Sequence, residues 1–349
     1  MAPVLEAVPN FSAGRDPALL ERLVGAVSDA GAEVLDVSAD ADHNRAVLTY
    51  VGTTAVVEEA SVSVARLAVE AIDLRRHRGV HPRVGALDVL PFVPLVGLTM
   101  ADARSSARRV GERLAREVGV PVYFYGEASE PPGRGLGELR RGGFEQLVLG
   151  FPDARRPDLL PDGWEHPGVH PSAGATCVGA RLPLLAWNVE VEGLGQDRLE
   201  AVAARMREQG GGFPKLRALA LVLVEQSKMQ ISMNLEDVEN QRPFDVFQAL
   251  EERVRSLGGT VRATEVVGMI PDRLLLDAAA DRLGLLDPNP GRVLSPRLVK
   301  HIDDRGRSAV RELTEAVRAA GDRTPPEVRA AAERLQDELG GVEPRDGRP

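Results

Sequence analysis

The feature that most constrains the fold is an order of predicted elements that occurs twice along the chain. Between residues 3 and 94, the pattern of apolar and polar residues predicts strand, helix, strand, strand, helix and strand. The first of these helices begins at Asp16-Pro17, because aspartate caps free amides and proline fits the first helical turn. The same order returns between residues 182 and 267, without evident sequence identity to the first copy.

This repeated order predicts the fold class and the division into domains. Strand, helix, strand, strand, helix, strand is the order of a ferredoxin-like unit, so we predict an α+β protein with two ferredoxin-like α/β subdomains. We assign residues 1–174 to the N-terminal subdomain, residues 175–287 to the C-terminal subdomain and residues 288–349 to a charged helical C-terminal tail. The glycine- and proline-rich residues 126–168 form either a functional loop or an interdomain linker.

The composition argues against several classes of partner. The chain of 349 residues is 43% hydrophobic and 27% charged, and it contains no apolar run of the roughly 18 to 20 residues that a membrane helix requires. Its net charge of -9 argues against nucleic-acid binding. The N-terminus lacks the basic segment of a secretion signal, and the single cysteine, Cys177, cannot form an internal disulfide. We therefore expect a cytoplasmic protein without a membrane or nucleic-acid partner.

The densest group of chemically active residues lies in residues 77–89, in a loop that runs directly into a strand. It contains His77, His81 and several charged residues, although the whole chain has only 6 histidines. A solvated charged turn explains the loop equally well on these residues alone. A metal site is a further interpretation, but Gly79 and Pro82 would break the helix that makes the histidine spacing useful, so we predict no metal.

Two further loops carry histidines next to predicted strands. His43 lies in a polar loop, and His170 lies in the small-residue segment 168–177. Small residues let a backbone approach a flat ligand, but this segment has neither the ending of a P-loop nor the helix of a dinucleotide site. A plain crossing of strands explains it nearly as well. Because these three loops, together with His166 just before the third, contain five of the 6 histidines, a shared cleft is the economical interpretation.

Motifs in these loops and in the second half resemble those of the glutamate formimidoyltransferases, also called formiminotransferases. The resemblance runs from about Val4 to Leu283 and covers the formiminotransferase part of formimidoyltransferase-cyclodeaminase. The segments that carry it are Val8-Pro9-Asn10-Phe11-Ser12-x-Gly14-Arg15, Asp40-x-Asp42-His43-Asn44-Arg45, His81-Pro82-Arg83-x-Gly85-Ala86-Leu87-Asp88, Pro121-Val122-Tyr123-x-Tyr125-Gly126-Glu127, His170-Pro171-x-Ala173-Gly174-Ala175-Thr176, Gly179-Ala180-Arg181, Gln230-x-Ser232-Met233-Asn234-Leu235 and Glu265-Val266-Val267-Gly268-x-Ile270-Pro271.

This resemblance implies an activity and an architecture. The implied reaction moves the formimidoyl group from N-formimidoyl-L-glutamate to the co-substrate tetrahydrofolate, giving 5-formimidoyltetrahydrofolate and L-glutamate in histidine degradation. The resemblance also implies a homodimer, and two ferredoxin-like subdomains whose sheets face each other across a ligand cleft that holds the folate. The residues after Leu283 are too few for a cyclodeaminase domain, so we expect another protein to perform that step.

The resemblance further assigns the site residues, with His81 as the catalytic histidine. We expect the substrates to be bound by Asn10, Arg15, Asp40, His43, Asn44, Arg45, Arg83, Asp88, Tyr125 and Arg181. The folate site is implied at Gly168, Val169, His170, Pro171, Ser172, Ala173, Gly174, Ala175, Thr176 and Cys177. The chain departs from the family pattern just before this segment, at Trp164-Glu165-His166.

The chemistry of the transfer also suits a histidine. A proton must leave N5 of the folate and another must reach the departing glutamate nitrogen, so a group that titrates near neutrality can serve both steps. We assign this role to His81, with Asp40, Asp42 or Asp88 as orienting carboxylates and with arginines as clamps for the substrate carboxylates. Related formyl transfer or 5-formyltetrahydrofolate metabolism on the same scaffold, and a non-catalytic folate-binding protein, are the alternative functions.

Overall fold

The computed structural model describes residues 3–152, 155–223, 228–236, 238, 240–269, 294–320 and 324–340. These residues form two β-sheets with helices packed against them, and the predicted α+β class is confirmed. The strands of the first sheet precede those of the second along the chain. In the described part of the chain, no helix is long and apolar enough to span a membrane.

The first sheet contains seven strands, two of which are short segments that share one position. They are β1 Leu5–Ala7, β2 Asn10–Phe11, β3 Glu33–Asp40, β4 Arg45–Gly52, β5 Leu87–Pro94, β6 Val122–Gly126 and β7 Thr176–Ala180. β1 and β2 both pair antiparallel with β4 and β5, and Pro9 separates them because it has no amide hydrogen for the ladder. The order across the sheet is β3, β4, β1 with β2, β5, β7 and β6, and β7 is parallel to both of its neighbours.

Helices pack against one face of this sheet, and the side chain of Arg45 lies on the opposite face. The helices of this half are α1 Pro17–Asp29, α2 Thr54–Ala71 and α3 Met100–Arg113, followed by the short helices α4 Leu136–Leu139 and α5 Gly143–Leu147. The predicted start of α1 is confirmed, because the carboxylate of Asp16 accepts a hydrogen bond from the amide of Leu19 at 3.0 Å. On β4, Tyr50 is buried and bonds to Ser61 of α2 at 2.8 Å. Because side chains alternate along a strand, Arg45 lies on the opposite face.

The second sheet has four strands, and every pairing in it is antiparallel. They are β8 Leu185–Glu192, β9 Leu216–Leu223, β10 Lys228–Leu235 and β11 Thr260–Val266, in the order β11, β8, β10, β9. The helices of this half are α6 Gln196–Met206 and α7 Pro243–Ser256. Ile231 and Met233 of β10 are buried in the core that these helices form, so Gln230 and Ser232 face the other way.

One strand of the first sheet lies beyond the sequence-based division at 174/175. β7 follows that division but pairs with β5 and β6, and its residues Cys177 and Val178 are buried in the core of the first sheet. The change from one sheet to the other therefore occurs after Ala180. The reason is a long-range parallel pairing, which the local pattern of residues does not encode.

The described residues of the C-terminal tail lie mainly in two helices. It contains α8 Leu294–Ala320 and α9 Pro326–Gly340, which pack against each other. The hydroxyl of Thr314 lies 2.9 Å from the carbonyl oxygen of Val310 in its own helix and 3.3 Å from that of Ala332 in α9. The short helix predicted over residues 272–283 lies outside the described residues.

Candidate active site

The main chain fixes the loop before β5 against the two other histidine-bearing loops. The amide of Ala86 donates to the carbonyl of Ala173 over 2.8 Å, and Gly79 packs against the carbonyl of His43. A Cβ atom at Gly79 would lie 2.3 Å from that carbonyl oxygen, so this close approach requires glycine. These contacts hold the backbone from which the side chain of His81 projects.

His81 makes a hydrogen bond that determines where its ring carries hydrogen. Nδ1 lies 2.8 Å from the carbonyl oxygen of Pro82, which can only accept, so Nδ1 carries the hydrogen and Nε2 holds the lone pair. Nη1 of Arg45 lies 3.4 Å from the same Nδ1, and since both atoms are donors this contact brings a positive charge against the ring. Nε2 has no hydrogen-bond partner in the part of the chain that the structure describes. His81 therefore presents a free basic nitrogen.

Beside this ring, the carboxylate of Asp88 is completely buried and binds two guanidinium groups. Its Oδ2 accepts a hydrogen bond from Arg45 at 3.0 Å and another from Arg140, and its Oδ1 accepts from the amide of Val84 at 2.8 Å. Asn10 supports Arg45 by accepting two further hydrogen bonds, at 2.6 and 3.2 Å. Asp88 thus orients arginines and does not contact the imidazole. Two cations and one anion leave this group with one uncompensated positive charge.

This environment shifts several pKa values. Burial lowers the pKa of His81 well below its ordinary 6.5, and the charges of Arg45 and Arg140 lower it further. Burial and the nearby Arg140 lower the pKa of Arg45 to about 10. Burial by itself would raise the pKa of Asp88, but the two arginines and the amide of Val84 together lower it. At pH 7 the imidazole is therefore neutral, and the arginine and the carboxylate are charged.

His43 lies next to His81, with 5.9 Å between the ring centroids, but its Nε2 is occupied. The side-chain amide nitrogen of Gln230, on β10 of the second sheet, lies 3.1 Å from this Nε2. Because an amide nitrogen can only donate, Nε2 of His43 accepts and its hydrogen is on Nδ1. Burial lowers the pKa of His43, although Asp40 partly opposes that shift. Burial thus keeps His43 neutral at pH 7, and a contact between the two halves occupies its Nε2.

His77 and Asn44 hold the loops together. Nε2 of His77 donates to the carbonyl of Asn44 at 2.9 Å. Asn44 has a left-handed backbone (φ 45°), and its side chain accepts from the amide of Gly14 at 2.9 Å and donates to the carbonyl of Arg78 at 3.0 Å.

Within the described ranges, no group of three or more histidine, cysteine, aspartate or glutamate side chains is placed to hold a metal ion.

The other predicted arginines lie outside the Asp88 group. Arg15 is exposed and donates to the carbonyl of Ala41 at 2.7 Å, and Arg181 donates to the carbonyl of the next residue at 3.0 Å. Arg83 forms an ion pair with Glu145 at 2.8 Å. Arg83 also lines a groove of about 350 Å³ on one side of the His77 loop, together with Arg75, Arg78 and other residues.

Asp40 and Tyr125 have structural contacts that the sequence did not indicate. Oδ1 of Asp40 accepts from the amide of His43 at 2.7 Å and so closes the turn after β3. The ring of Tyr125 lies across Gly179 of β7, where a Cβ atom would approach it to 2.4 Å. Burial raises the pKa of Tyr125 to about 12, so its hydroxyl stays protonated at neutral pH.

Two domain models of one family match consecutive parts of the chain. Residues 4–181 match the formiminotransferase domain, N-terminal subdomain, and residues 186–282 match the formiminotransferase domain. The chain belongs to the formiminotransferase family. The first match ends just after β7, in agreement with the sheet to which that strand belongs.

Relatives in this family differ in how much of their length this chain covers. A glutamate formimidoyltransferase of Streptococcus pyogenes is 37% identical over 80% of this chain and 93% of its own length. One of Thermoplasma acidophilum is 34% identical over 85% of this chain and 98% of its own length. A formimidoyltransferase-cyclodeaminase of Sus scrofa is 39% identical over 80% of this chain, but the match spans only 52% of that protein.

The segment implied to bind folate is largely part of the protein core in this family member. Three of its residues reach the surface, namely His170, Pro171 and Ser172. The others are buried, namely Gly168, Val169, Ala173, Gly174, Ala175, Thr176 and Cys177. Burial raises the pKa of the Cys177 thiol to about 12, so this thiol is not a nucleophile at neutral pH.

The ring of His170 lies near Trp164, in the segment where this chain departs from the family pattern. Its ring centroid lies 6.4 Å from that of Trp164, which in turn lies 6.1 Å from that of His166. Nδ1 of His170 accepts a hydrogen bond from the amide of Ala173 at 3.0 Å, which fixes the ring. Burial lowers the pKa of His170, and the nearby Arg75 contributes in the same direction. His170 thus lies with a different set of residues from the pair of histidines described above.

Two residues of the site are absent from the set that the sequence assigned, Arg140 and Gln230. Gln230 is separated from its partner His43 by 187 positions, and Arg140 is separated from Asp88 by 52. A signal for Gln230 was present, because it alternates with core residues on a strand and so faces away from the core. Arg140 lies in a glycine-rich loop, where no periodic pattern points to a partner.

Proposed function

We propose that this chain is a glutamate formimidoyltransferase, which moves the formimidoyl group from N-formimidoyl-L-glutamate to tetrahydrofolate. The observation that carries the proposal is the neutral ring of His81, with a free Nε2 beside a buried group of net positive charge. Membership of the formiminotransferase family supports the substrates, as does the likeness to proteins named glutamate formimidoyltransferase over nearly their whole length.

The proposed architecture is two ferredoxin-like halves that face each other across the ligand cleft. The order β11, β8, β10, β9 and the order β5, β1 with β2, β4, β3 are equivalent arrangements of the same sequence of elements. The hydrogen bond between Gln230 and His43 supports a cleft between the sheets. We place the division between the two units after residue 181, with the tail as a separate helical unit.

In the proposed mechanism, His81 moves the protons of the transfer. Its Nε2 accepts the proton that leaves N5 of the folate while the bond from N5 to the amidine carbon forms. The same nitrogen returns a proton to the glutamate nitrogen while the bond from that nitrogen to the carbon breaks, so His81 ends as it began. A ring that is neutral at pH 7, with its hydrogen on Nδ1, begins this cycle as the base.

The charges around the site suit anionic substrates, since both substrates carry carboxylates. The uncompensated charge of the Asp88 group is only slightly exposed to solvent, and an ionic interaction there is stronger than one in water. The groove lined by Arg75, Arg78 and Arg83 offers a second region for a carboxylate. The half-buried rings of Trp164 and His170 offer a surface for the flat parts of tetrahydrofolate.

The substrate assignment is tested by offering the protein competing donors. Purified protein is incubated with tetrahydrofolate and either N-formimidoyl-L-glutamate or N-formyl-L-glutamate, and the modified folate and the released glutamate are measured. We expect one glutamate per modified folate and a higher kcat/KM with the formimidoyl donor. A preference for the formyl donor would favour related formyl transfer. Tight folate binding without turnover of either donor would favour a binding protein.

The proposal includes a homodimer that acts in the cytoplasm. The family resemblance motivates the dimer, and the single cysteine, which is free and buried, suits a reducing compartment. Sedimentation velocity over a range of protein concentrations tests the oligomeric state. A particle with the mass of one chain of 37.5 kDa at all concentrations would contradict the dimer.

A further inference from the structure

Arg140 shares the buried carboxylate of Asp88 with Arg45, although it comes from a distant loop. The Asp88 side chain is 0% exposed, and the side chains of Arg45 and Arg140 are 13% and 12% exposed. One carboxylate cannot neutralise two guanidinium groups. Removing a second cation from water costs free energy. We therefore expect Arg140 to have a function that the Arg45–Asp88 ion pair does not provide.

We propose that Arg140 is a positioning residue for the transfer reaction: by sharing Asp88 with Arg45, it leaves a net positive charge beside the imidazole of His81, which disfavours protonation of the ring. The inference rests on the proposed function only for the role of His81 as the base.

The groups around His81 support this role. Arg45 approaches its Nδ1 to 3.4 Å from β4, and the ring of His43 lies 5.9 Å away in the turn after β3. The carbonyl of Pro82 accepts the Nδ1 hydrogen. Asp88, on β5, is the negative group that faces the ring's cationic neighbours, and both arginines share it. Without Arg140, the carboxylate would neutralise Arg45, and the ring would lie beside a group of zero net charge. Burial and both arginines act on the imidazole in the same direction, lowering its pKa.

Contacts of the loop that carries Arg140 fix the position of its backbone. Leu139, at the end of α4, is buried in the core of the first sheet, and the amide of Arg140 donates to the carbonyl of Leu136 at 2.9 Å. Further along, the amide of Phe144 donates to the carbonyl of Arg83 at 3.0 Å, which ties this loop to the His81 loop. Arg141, the next residue along, is exposed. It therefore provides a matched control with the same chemistry and a different position.

The test is the titration of His81 in the free protein, which does not depend on activity. NMR spectra of the histidine rings are recorded against pH for the full chain, and the His81 signal is identified by its loss in His81→Gln. We expect a midpoint below 6.5 in the original protein, and Arg140→Gln should raise it by about one unit, the size of shift that a nearby charge produces. Arg140→Lys, which retains the charge, should keep the midpoint low, and Arg141→Gln should leave it unchanged.

A second variant supplies the opposite charge change. Asp88→Asn leaves both arginines without a counterion, so it should lower the His81 midpoint further. Opposite displacements by Arg140→Gln and Asp88→Asn support the inference. An unchanged or lower His81 midpoint in folded Arg140→Gln overturns the inference. If Arg140→Gln does not fold, an unchanged or higher His81 midpoint in Asp88→Asn overturns it instead. Absence of formimidoyl transfer in the original protein would overturn the proposed function and leave this titration result intact.

Discussion

At the scale of the residue, hydrogen bonds distinguish two neighbouring histidines. His43 and His81 are both neutral and both lie on the same loop system, but Gln230 occupies Nε2 of His43 and leaves Nε2 of His81 free. A general base must present a lone pair to the proton that it removes. His81 is therefore the stronger candidate for the base, and His43 for a residue that shapes the site.

Replacing His81 by alanine should slow the transfer much more than it weakens folate binding. General acid-base catalysis contributes about 10²- to 10⁴-fold to rate, so we expect a loss of kcat in this range. Single-turnover rates and folate affinity, measured on the same variant, separate the two effects. Added imidazole should restore part of the rate, because it can enter the space that the side chain leaves. Normal kcat together with weak folate binding would contradict the assignment.

The lowered pKa of His81 predicts how the rate depends on pH. His81 acts as a base only when it is unprotonated, and its pKa in the folded protein lies below 6.5. We therefore expect kcat/KM to stay level as the pH falls to 6.5 and to decline only at lower pH. A pH profile measured at constant ionic strength checks this, and a decline that begins above pH 6.5 would contradict it.

The same shift predicts a loss of stability in acid. The unfolded chain binds a proton at His81 near pH 6.5, whereas the folded protein binds it only at lower pH, so the free energy of unfolding decreases as the pH falls through this window. Urea unfolding at about pH 7.5 and about pH 5.5 measures the decrease. The variant His81→Gln should lose less stability than the original protein between these two values, and an equal loss would contradict the prediction.

At the scale of the element, β10 connects the two halves of the molecule. Alternate residues of this strand enter the second core, and the residues between them face away from it. One of these, Gln230, is 7% exposed and reaches His43 in the first half. A single strand therefore contributes both to the packing of its own unit and to the side chains of the candidate site.

Replacing Gln230 by alanine should destabilise the protein and reduce its activity. The change removes the donor to a buried histidine nitrogen, and leaving such a group unsatisfied costs about 1 to 3 kcal/mol. Ser232→Ala is a matched control, because Ser232 lies two positions along on the same face of the strand and is less buried. Urea unfolding and transfer assays on both variants check the prediction. Equal losses of stability and activity in the two variants would show that the hydrogen bond to His43 does not make the difference expected here.

At the scale of the whole molecule, the C-terminal tail lies beyond the part of the chain that the family models match. The family matches end at residue 282, and α8 and α9 pack against each other beyond that point. In the described part of the tail, no residue belongs to the group around His81. The tail is therefore expected to affect stability or assembly and not the chemistry of transfer.

Deletion of the residues after Asp287 should leave kcat and KM largely unchanged. The candidate site draws its residues from the two sheets and their loops, which the deletion retains. Transfer assays on the truncated protein, combined with sedimentation and circular dichroism, test this. A large loss of kcat in a truncated protein that is folded and has the original mass would show that the tail takes part in the reaction.

The sequence by itself determined the α+β class, the repeated order of elements, the start of α1 and the family resemblance. It also supplied Asn10, Arg45, Asp88 and His81, which the structure brings into one group. These features are recorded in local patterns, because periodicity, helix caps and motifs involve residues that are close in the chain.

Only the tertiary structure decided which hydrogen bonds and charges act on those residues. It placed Arg140 on Asp88 and Gln230 on His43, paired β7 with the first sheet, and turned Arg83 toward Glu145. It also buried most of the segment implied to bind folate. A pKa depends on the charges and the burial that distant segments bring to a group. The sequence could therefore name His81 as a base, but only the folded arrangement lowers the pKa of its imidazole and, within the described residues, leaves Nε2 without a partner.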